Sequence, residues 1–490
     1  MSSEERQPSS AVRLVGLDVG TTTTSFLVAS ARMLWNCVTG RNEFGDVQPI
    51  FRPEAVFTPF SGDALDAGAL EKQLDRWLAA ANLDSADVAS GGAIVTGLAA
   101  RSANAAAVKD IVRRRFPQAL FAATDDPCLE SWLAFMGNTL ALSISQPESP
   151  FLNLDIGGGT TNLALGLAGE VRRCGCYYVG ARHIQVEPGT YRIRALSSFA
   201  AALLDELAVR DALGHELTPQ HLRAVLDFYV DLLEGVVSGQ SQPGGRRQSD
   251  DSLRRLHCQT AFVPPETRGI EPIITLSGGV GELAYRRARG EPLPETTAFG
   301  DLGIDLARRI CQSPVLGRNL NSHVPAGLGR ATVEGLALHG SEISGSTLFL
   351  PDPRILPLND LPILGTFGEA TSDEELVALF DLARCASAGA CLCVQIESLD
   401  ASSVKRLGGR LAPLLERLAA TSSVPIVLLT SGNVGKTLGQ YATRWGRLAA
   451  KLLVIDEIPN RCAQFVTIGA PRQGLVPVSF HGLATSLQAD

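Results

Sequence analysis

The chain has no long apolar run. None of its 490 residues lie in a stretch near the roughly 18 apolar residues that a helical membrane span needs. The opening residues 1–10 are polar, lack the apolar segment of a secretory signal, and read as a disordered tail. The expected compartment is the cytoplasm. Positive charge is also short: 43 Lys and Arg stand against 51 Asp and Glu, a formal net charge of −8. That balance argues against a general nucleic-acid binder. The one triple, Arg113-Arg114-Arg115, suits the solvated C-terminal end of a helix, where cations meet the helix dipole. Zinc spacings are missing. The closest cysteine pairs, Cys174/Cys176 and Cys391/Cys393, are Cys-x-Cys in strand-like runs and read as buried thiols. The ten cysteines need no disulfides in a reducing compartment, and the seven histidines are scattered, so no structural metal is expected.

What the chain does have is glycine turns behind apolar strands. The first reads Leu14-Val15-Gly16-Leu17-Asp18-Val19-Gly20-Thr21-Thr22-Thr23. The second reads Leu152-Asn153-Leu154-Asp155-Ile156-Gly157-Gly158-Gly159-Thr160-Thr161. A third, Leu276-Ser277-Gly278-Gly279-Val280-Gly281-Glu282, follows the strand-like 273–276. Glycine brings backbone N–H groups close to an anion, and threonine hydroxyls add donors. An aspartate beside phosphate repels it unless a cation intervenes, and Mg²⁺ bridges carboxylate to phosphate through its waters. The chain turns apolar again after the first two loops, at Phe26-Leu27-Val28 and Leu163-Ala164-Leu165. Each unit is therefore a β-hairpin, where a Walker loop or dinucleotide fingerprint would open a helix. Two such hairpins can grip one polyphosphate from opposite sides, and the third turn can hold its nucleoside.

These three segments resemble the phosphate-1, phosphate-2 and adenosine motifs of the actin, hexokinase and Hsp70 ATPase superfamily. Within it, most of the chain resembles the ethanolamine ammonia-lyase reactivating protein family. The likeness runs through Gly92-Ala93-Ile94-Val95-Thr96-Gly97, Ala99-Ala100-Arg101 and residues 153–165. It continues in Phe299-Gly300-Asp301-Leu302-Gly303, Arg330-Ala331-Thr332-Val333, Gly435-Lys436-Thr437-Leu438-Gly439-Gln440 and Val476-Pro477-Val478-Ser479. The nucleotide motifs mark only the superfamily; the later segments mark the family. Three places depart from the family pattern. Asp125-Asp126-Pro127 stands for Ala-Gly-Pro, Ala134-Phe135-Met136-Gly137-Asn138 for a glycine-rich run, and Gly180-Ala181-Arg182 for Gly-Gly-Arg. The first two fall near the connection between the ATPase halves and bear on hinge behaviour and hydrolysis rate.

The resemblance implies an ATPase that uses ATP and Mg²⁺ to reactivate ethanolamine ammonia-lyase after its cobalamin is damaged. Asp18 and Asp155 would hold waters of the Mg²⁺. Gly20, Thr21, Thr22 and Thr23 would face the phosphates, with Gly157, Gly158, Gly159, Thr160 and Thr161 closing from the other side. Gly278 and Gly279 would pass the adenosine, Glu282 would reach the ribose, and Glu130 is a candidate for orienting the attacking water. The Asp-x-His-x-x-Gly pattern of many cobalamin-binding proteins is missing, which suits a protein that acts on a cobalamin enzyme without keeping the cofactor. A homodimer and association with a bacterial microcompartment stay open. So do two other classes: a small-molecule kinase of the same superfamily, and an actin or cell-division type filament.

The implied fold is α/β, with two actin-like (ribonuclease H-like) ATPase lobes plus an additional C-terminal α/β segment. Residues 11–150 form the first lobe, 151–350 the second with a returning helix near 326–340, and 351–490 the C-terminal domain. Helical patterns cover 70–81, 103–116, 130–142, 198–213 and 218–237, and 92–96 reads as a strand. Residues 238–252 read as a flexible loop, and the proline-rich 352–361 as a boundary. Beyond it 374–386 and 404–420 are helix-like, while 391–396, 424–430 and 452–456 are strand-like. Gly432-Asn433-Val434-Gly435-Lys436-Thr437 imitates a Walker loop, but Thr430 stands where that motif needs glycine. A helix start after a strand accounts for it, with some anion affinity left over.

Overall fold

A computed structural model describes residues 11–36, 41–61, 64–84, 87–96, 104–116, 120–122, 126–209, 212–239, 248–264, 270–345, 347–396, 398–421, 423–472 and 474–486. The proposed tail 1–10, Asp125 and Ala99-Ala100-Arg101 lie outside the described residues.

The first lobe is a twisted sheet built on β1 (Val12–Val19), β2 (Thr23–Asn36), β3 (Arg41–Phe51), β4 (Val88–Val95) and β5 (Leu120–Ala122), in the order β3-β2-β1-β4-β5. β1 and β2 form the expected hairpin, with Asp18 opposite Ser25. β4 runs parallel to β1. Helices α1 (Ala67–Ala80) and α2 (Ala105–Arg115) cover one face, setting Leu70, Leu74, Trp77, Val108 and Val112 against Phe26 and its neighbours. The Trp77 ring stacks on Phe26 at 5.5 Å between centroids.

The second lobe repeats the four-strand run β3-β2-β1-β4 and adds its fifth strand at the opposite edge. β6 (Phe151–Ile156), β7 (Thr161–Leu167), β8 (Glu170–Tyr177), β9 (Cys258–Thr260) and β10 (Ile273–Ser277) lie as β9-β8-β7-β6-β10. β6 and β7 are the second hairpin, and β10 runs parallel to β6 as β4 does to β1. In both sheets the first strand is thus flanked by its hairpin partner and by a later parallel strand, the actin-like arrangement the resemblance implies. α3 (Pro127–Asn138) links the lobes. Helices α4 (Ser198–Glu206), α5 (Pro219–Val237), α6 (Gly278–Ala288) and α7 (Gly303–Cys311) build the second core around Tyr229 and Tyr285.

α8 (Ala331–His339) returns to the first lobe and crosses α3 at backbone contact. A Cβ on Gly137 would lie 1.9 Å from the Ala331 carbonyl oxygen, and one on Gly335 2.0 Å from that of Leu133. The departure at residues 134–138 keeps the one glycine this crossing needs.

The C-terminal domain is a seven-stranded sheet of β11 (Glu342–Ile343), β12 (Leu358–Gly368), β13 (Ala390–Gln395), β14 (Ile426–Thr430), β15 (Leu452–Ile455), β16 (Ala463–Ile468) and β17 (Pro477–Leu483), ordered β11-β17-β16-β12-β13-β14-β15. β12 to β15 are parallel. Their crossovers α9 (Asp373–Cys385), α10 (Ala401–Thr421) and α11 (Gly435–Ala442) share one core with Phe367, Leu392 and Leu428. The opposite face packs Cys391, Val427 and Leu453 against Val466 and Val478.

Several local expectations are corrected. The helix expected over 130–142 is two, because Asp126 caps α3 three residues earlier and the chain breaks at Thr139 before a short helix Leu140–Ser145. α4 stops at Glu206, not 213, since Ala208 turns left-handed at φ +60°. Residues 248–252, read as loop, open a helix Gln248–Leu256, while 240–247 lie outside the described residues. The proline-rich 352–361 is not a bare connection, since β12 begins inside it, and β11 joins the C-terminal sheet from ahead of 351. The basic triple does close the last turn of α2 as expected, and it carries ion pairs besides: Arg113 and Lys109 bond Asp360 of the C-terminal domain at 2.9 and 3.0 Å, and Arg115 bonds Asp75 at 2.8 Å.

Candidate functional site

The two hairpin turns close in the same way. The Gly20 N–H donates to the Thr23 carbonyl at 3.0 Å, and the Gly157 N–H to the Thr160 carbonyl at 3.0 Å. They face each other across the cleft between the lobes: a Cβ on Gly158 would lie 2.2 Å from Thr22 Oγ1. That hydroxyl is buried without a hydrogen-bond partner. A lone buried donor between glycine amides is what a phosphate oxygen satisfies.

The cleft encloses about 410 Å³. Its walls include Asp18, Gly20, Thr21, Thr22, Thr23, Glu130, Asp155, Gly157, Gly158, Gly159, Thr160, Gly278, Gly279 and Glu282. The fold therefore brings together every candidate residue but one. Thr161 faces away: it is fully buried in β7, and its hydroxyl donates to the Val179 carbonyl at 2.8 Å. Alternation along the strand, which sends Thr160 into the cleft, carries Thr161 into the lobe.

Asp18 and Asp155 end β1 and β6. Burial pushes Asp18 up to about 7, the Asp155 charge adds to the rise, and the Thr96 hydroxyl bond at 3.2 Å opposes it. Burial raises Asp155 to about 6, against bonds from Ser277 at 2.6 Å and from Thr332. Two buried carboxylates, one of which raises the other's cost of ionisation, form a site for a cation. The donor set fits a hydrated Mg²⁺, which needs only one or two carboxylates beside phosphate.

The third turn opens α6 directly. Gly278 has φ +76°, and a Cβ there would lie 2.5 Å from the Ile156 carbonyl oxygen. A Cβ on Gly279 would meet nothing within 4 Å, leaving a flat floor beside the cleft. Glu282 Oε2 lies 2.2 Å from where a Cβ on Gly329 would be, so Gly329 makes room for this carboxylate. Glu130 reaches the wall from the first turn of α3.

Sequence reasoning gave no role to several residues that complete the site. Thr96, Ser277 and Thr332 each lie inside a segment already singled out, and each bonds one of the paired aspartates. Asp301 adds a third aspartate to the wall. It accepts from the Gly303 N–H at 2.9 Å and is raised to about 6 by burial. An aspartate in a Gly-x-x-Gly turn was the available signal. His183 is buried under the second turn, where burial lowers it to about 4 and keeps it neutral. Its Nε2 must carry the proton, because its partner at 2.7 Å is the Gly159 carbonyl; Nδ1 then accepts from the Ser197 hydroxyl at 2.8 Å. The Ala181 and Arg182 N–H groups donate to the Gly157 and Gly158 carbonyls at 3.1 and 2.7 Å, so the departure at Gly180-Ala181-Arg182 underpins this turn.

The imitation of a Walker loop holds no anion site. The Gly435 N–H that opens α11 donates to Asp456 Oδ2 at 3.1 Å, which replaces the expected residual anion affinity with a carboxylate.

Duplicated sheets that share one four-strand run, hinged by crossing helices and closing on paired glycine turns, place the protein in the actin-like class. Residues 10–486 match the family described as ethanolamine utilisation protein EutA, and the chain belongs to that family. It is 30% identical over 485 residues to the ethanolamine ammonia-lyase reactivase EutA of Salmonella typhimurium, covering 96% of this chain and 98% of that one. It is 29% identical to the Escherichia coli protein of the same description, over 96% and 98%. Among solved structures, a PPX-GPPA enzyme of Aquifex aeolicus matches 67% of this chain and 91% of its own at 14% identity and TM-score 0.35, too loosely to add to the strand order above. Among the described residues no helix is long and apolar enough to cross a membrane.

Proposed function

We propose that this protein is an ATP-dependent reactivating factor for adenosylcobalamin-dependent ethanolamine ammonia-lyase. The observation that carries the nucleotide part is the pair of hairpin turns facing each other over two like-charged buried aspartates. Family membership and the relatives' descriptions carry the lyase part.

ATP with Mg²⁺ supplies the triphosphate charge that both lobes grip and the bond whose hydrolysis ends the grip. Asp18 and Asp155 hold waters of the cation. The Gly20 to Thr23 turn donates amides and hydroxyls from one lobe, and Gly157 to Thr160 from the other. Gly278 and Gly279 lie flat against adenosine, and Glu282 receives the ribose. Glu130 orients water, since phosphoryl transfer rests mainly on positioning and charge stabilisation. A triphosphate touching both lobes favours the closed state over the open one only by its difference in affinity for the two. A lyase bound across the lobes is drawn between two shapes, releases damaged cobalamin and admits intact adenosylcobalamin. This protein does not itself deaminate ethanolamine.

The test is recovery of acetaldehyde formation by lyase blocked with cyanocobalamin, given this protein, ATP, Mg²⁺ and fresh adenosylcobalamin. Recovery only with ATP supports the proposal. A well-folded, ATP-binding protein that restores nothing sinks it. ATP consumption that depends on a small alcohol and needs no lyase would instead favour a kinase, with Asp301 as the candidate base in the cleft.

A further inference from the structure

A second pair of buried carboxylates lies in the C-terminal domain, at the carboxyl end of its parallel strands. Asp456 directly follows β15 and is 0% exposed; Glu457 is 4% exposed. One oxygen of each is bonded. Asp456 Oδ2 accepts from the Gly435 N–H at 3.1 Å and from the Thr347 hydroxyl, and Glu457 Oε1 accepts from the Asn433 amide. The other oxygens, Asp456 Oδ1 and Glu457 Oε2, are buried with no hydrogen-bond partner.

These two oxygens converge on one point. A Cβ on Gly345 would lie 2.5 Å from Asp456 Oδ1 and 2.7 Å from Glu457 Oε2, so the oxygens are within about 5 Å of each other. A single cation with oxygen ligands at roughly 2.1–2.4 Å bridges that span after a small side-chain adjustment. Only glycine at 345 lets the backbone approach these two oxygens so closely. Among the described residues no Lys, Arg or His forms an ion pair with either acid; Arg41 acts on Glu457 only through its field. Burial raises both groups, and the charge of Asp456 raises Glu457 further. Leaving a buried acceptor unsatisfied is costly, and two adjacent ones more so.

We propose that Asp456 and Glu457 bind a divalent, oxygen-seeking cation of the Mg²⁺ or Mn²⁺ type, independently of nucleotide. The donors decide the class. Both unpartnered donors are carboxylate oxygens, the hard ligands that such ions take, and water can complete the shell. The cation fastens a junction. Gly345 donates to the Asp456 carbonyl and Ser344 to the Val476 carbonyl, each at 2.9 Å, where the chain passes from α8 into the C-terminal sheet. From the first lobe, the Asn42 amide reaches the Ser344 carbonyl at 3.4 Å.

The experiment is a Mn²⁺ titration of the full chain without nucleotide, read by electron paramagnetic resonance. An Asp18→Asn, Asp155→Asn background removes the cleft's own affinity. We expect one Mn²⁺ per chain in that background, displaced by Mg²⁺, and at least a tenfold loss of affinity when Asp456→Asn and Glu457→Gln are added. Glu457→Gln alone serves if the quadruple variant does not fold. Mg²⁺ should also raise the Tm of the background protein and leave the Tm of the Glu457→Gln variant unchanged. No uptake below about 1 mM, a concentration weaker than useful Mg²⁺ sites require, or uptake indifferent to both substitutions, would overturn the proposal.

Discussion

At the scale of single residues, the cleft stores charge that only a cation relieves. Asp18 ionises near 7 in the free protein, far above an ordinary carboxylate. Between about pH 4 and pH 7 the folded protein therefore holds a proton that the unfolded chain has lost, and this group's contribution to stability falls as pH rises through that window. Replacing it by Asn removes the penalty. Asp18→Asn should stabilise the nucleotide-free protein by up to about 4 kcal/mol at pH 8, and by almost nothing near pH 4. Urea unfolding at the two pH values checks this. The same variant should lose Mg²⁺-dependent ATP binding by calorimetry. A destabilised Asn variant at pH 8 would mean that Asp18 has a cationic partner in the free protein. His183 offers a second residue-scale test. His183→Ala removes the donor that holds the Gly159 carbonyl and opens a cavity beside Phe199 and Tyr229. It should cost about 2–4 kcal/mol in stability and weaken ATP binding together.

At the scale of elements, the hairpins were legible because their signals are local. An apolar strand, an aspartate, a glycine-threonine turn and a second apolar strand lie within a dozen residues, and nothing distant is needed to read them. Thr161 was misread for the same reason: its neighbour enters the cleft, and only strand alternation shows that it does not. The α4 terminus was hidden by a left-handed alanine, a conformation with no sequence mark. β16 and β17 went unread because their pairing is antiparallel and distant from the βαβ alternation before them. The crossing of α3 and α8 was out of reach too, since Gly137 and Gly335 acquire meaning only from each other. Gly335→Ala should therefore cost about 2–3 kcal/mol by overpacking, measured by chemical denaturation. A similar change at Gly279, where a Cβ meets open space, should leave stability within about 0.5 kcal/mol while impairing nucleotide binding. Asp126 joins the same hinge to the C-terminal domain. It caps α3 through the Leu129 N–H at 3.0 Å and accepts from the Gly482 N–H. Asp126→Ala should cost about 1–2 kcal/mol and loosen the contact of β17 with α3, seen as faster hydrogen exchange at Gly482.

At the scale of the whole molecule, two lobes and a C-terminal domain meet along α3 and α8. The C-terminal sheet is tied to these elements: Asp126 bonds it at one end of α3, and Lys109 and Arg113 tie α2 to Asp360. We propose that nucleotide held by both lobes drives damaged cobalamin out of the lyase. The most direct measurement separates release from restored activity. Lyase blocked with cyanocobalamin is mixed with this protein, Mg²⁺ and ATP, without fresh cofactor, and the cobalamin passing an ultrafiltration membrane is read by its visible absorbance. The account predicts cobalamin in the filtrate with wild-type protein and ATP, and only background with the Asp18→Ala, Asp155→Ala variant or without ATP. Equal release by the variant, or release that ignores ATP, would contradict it.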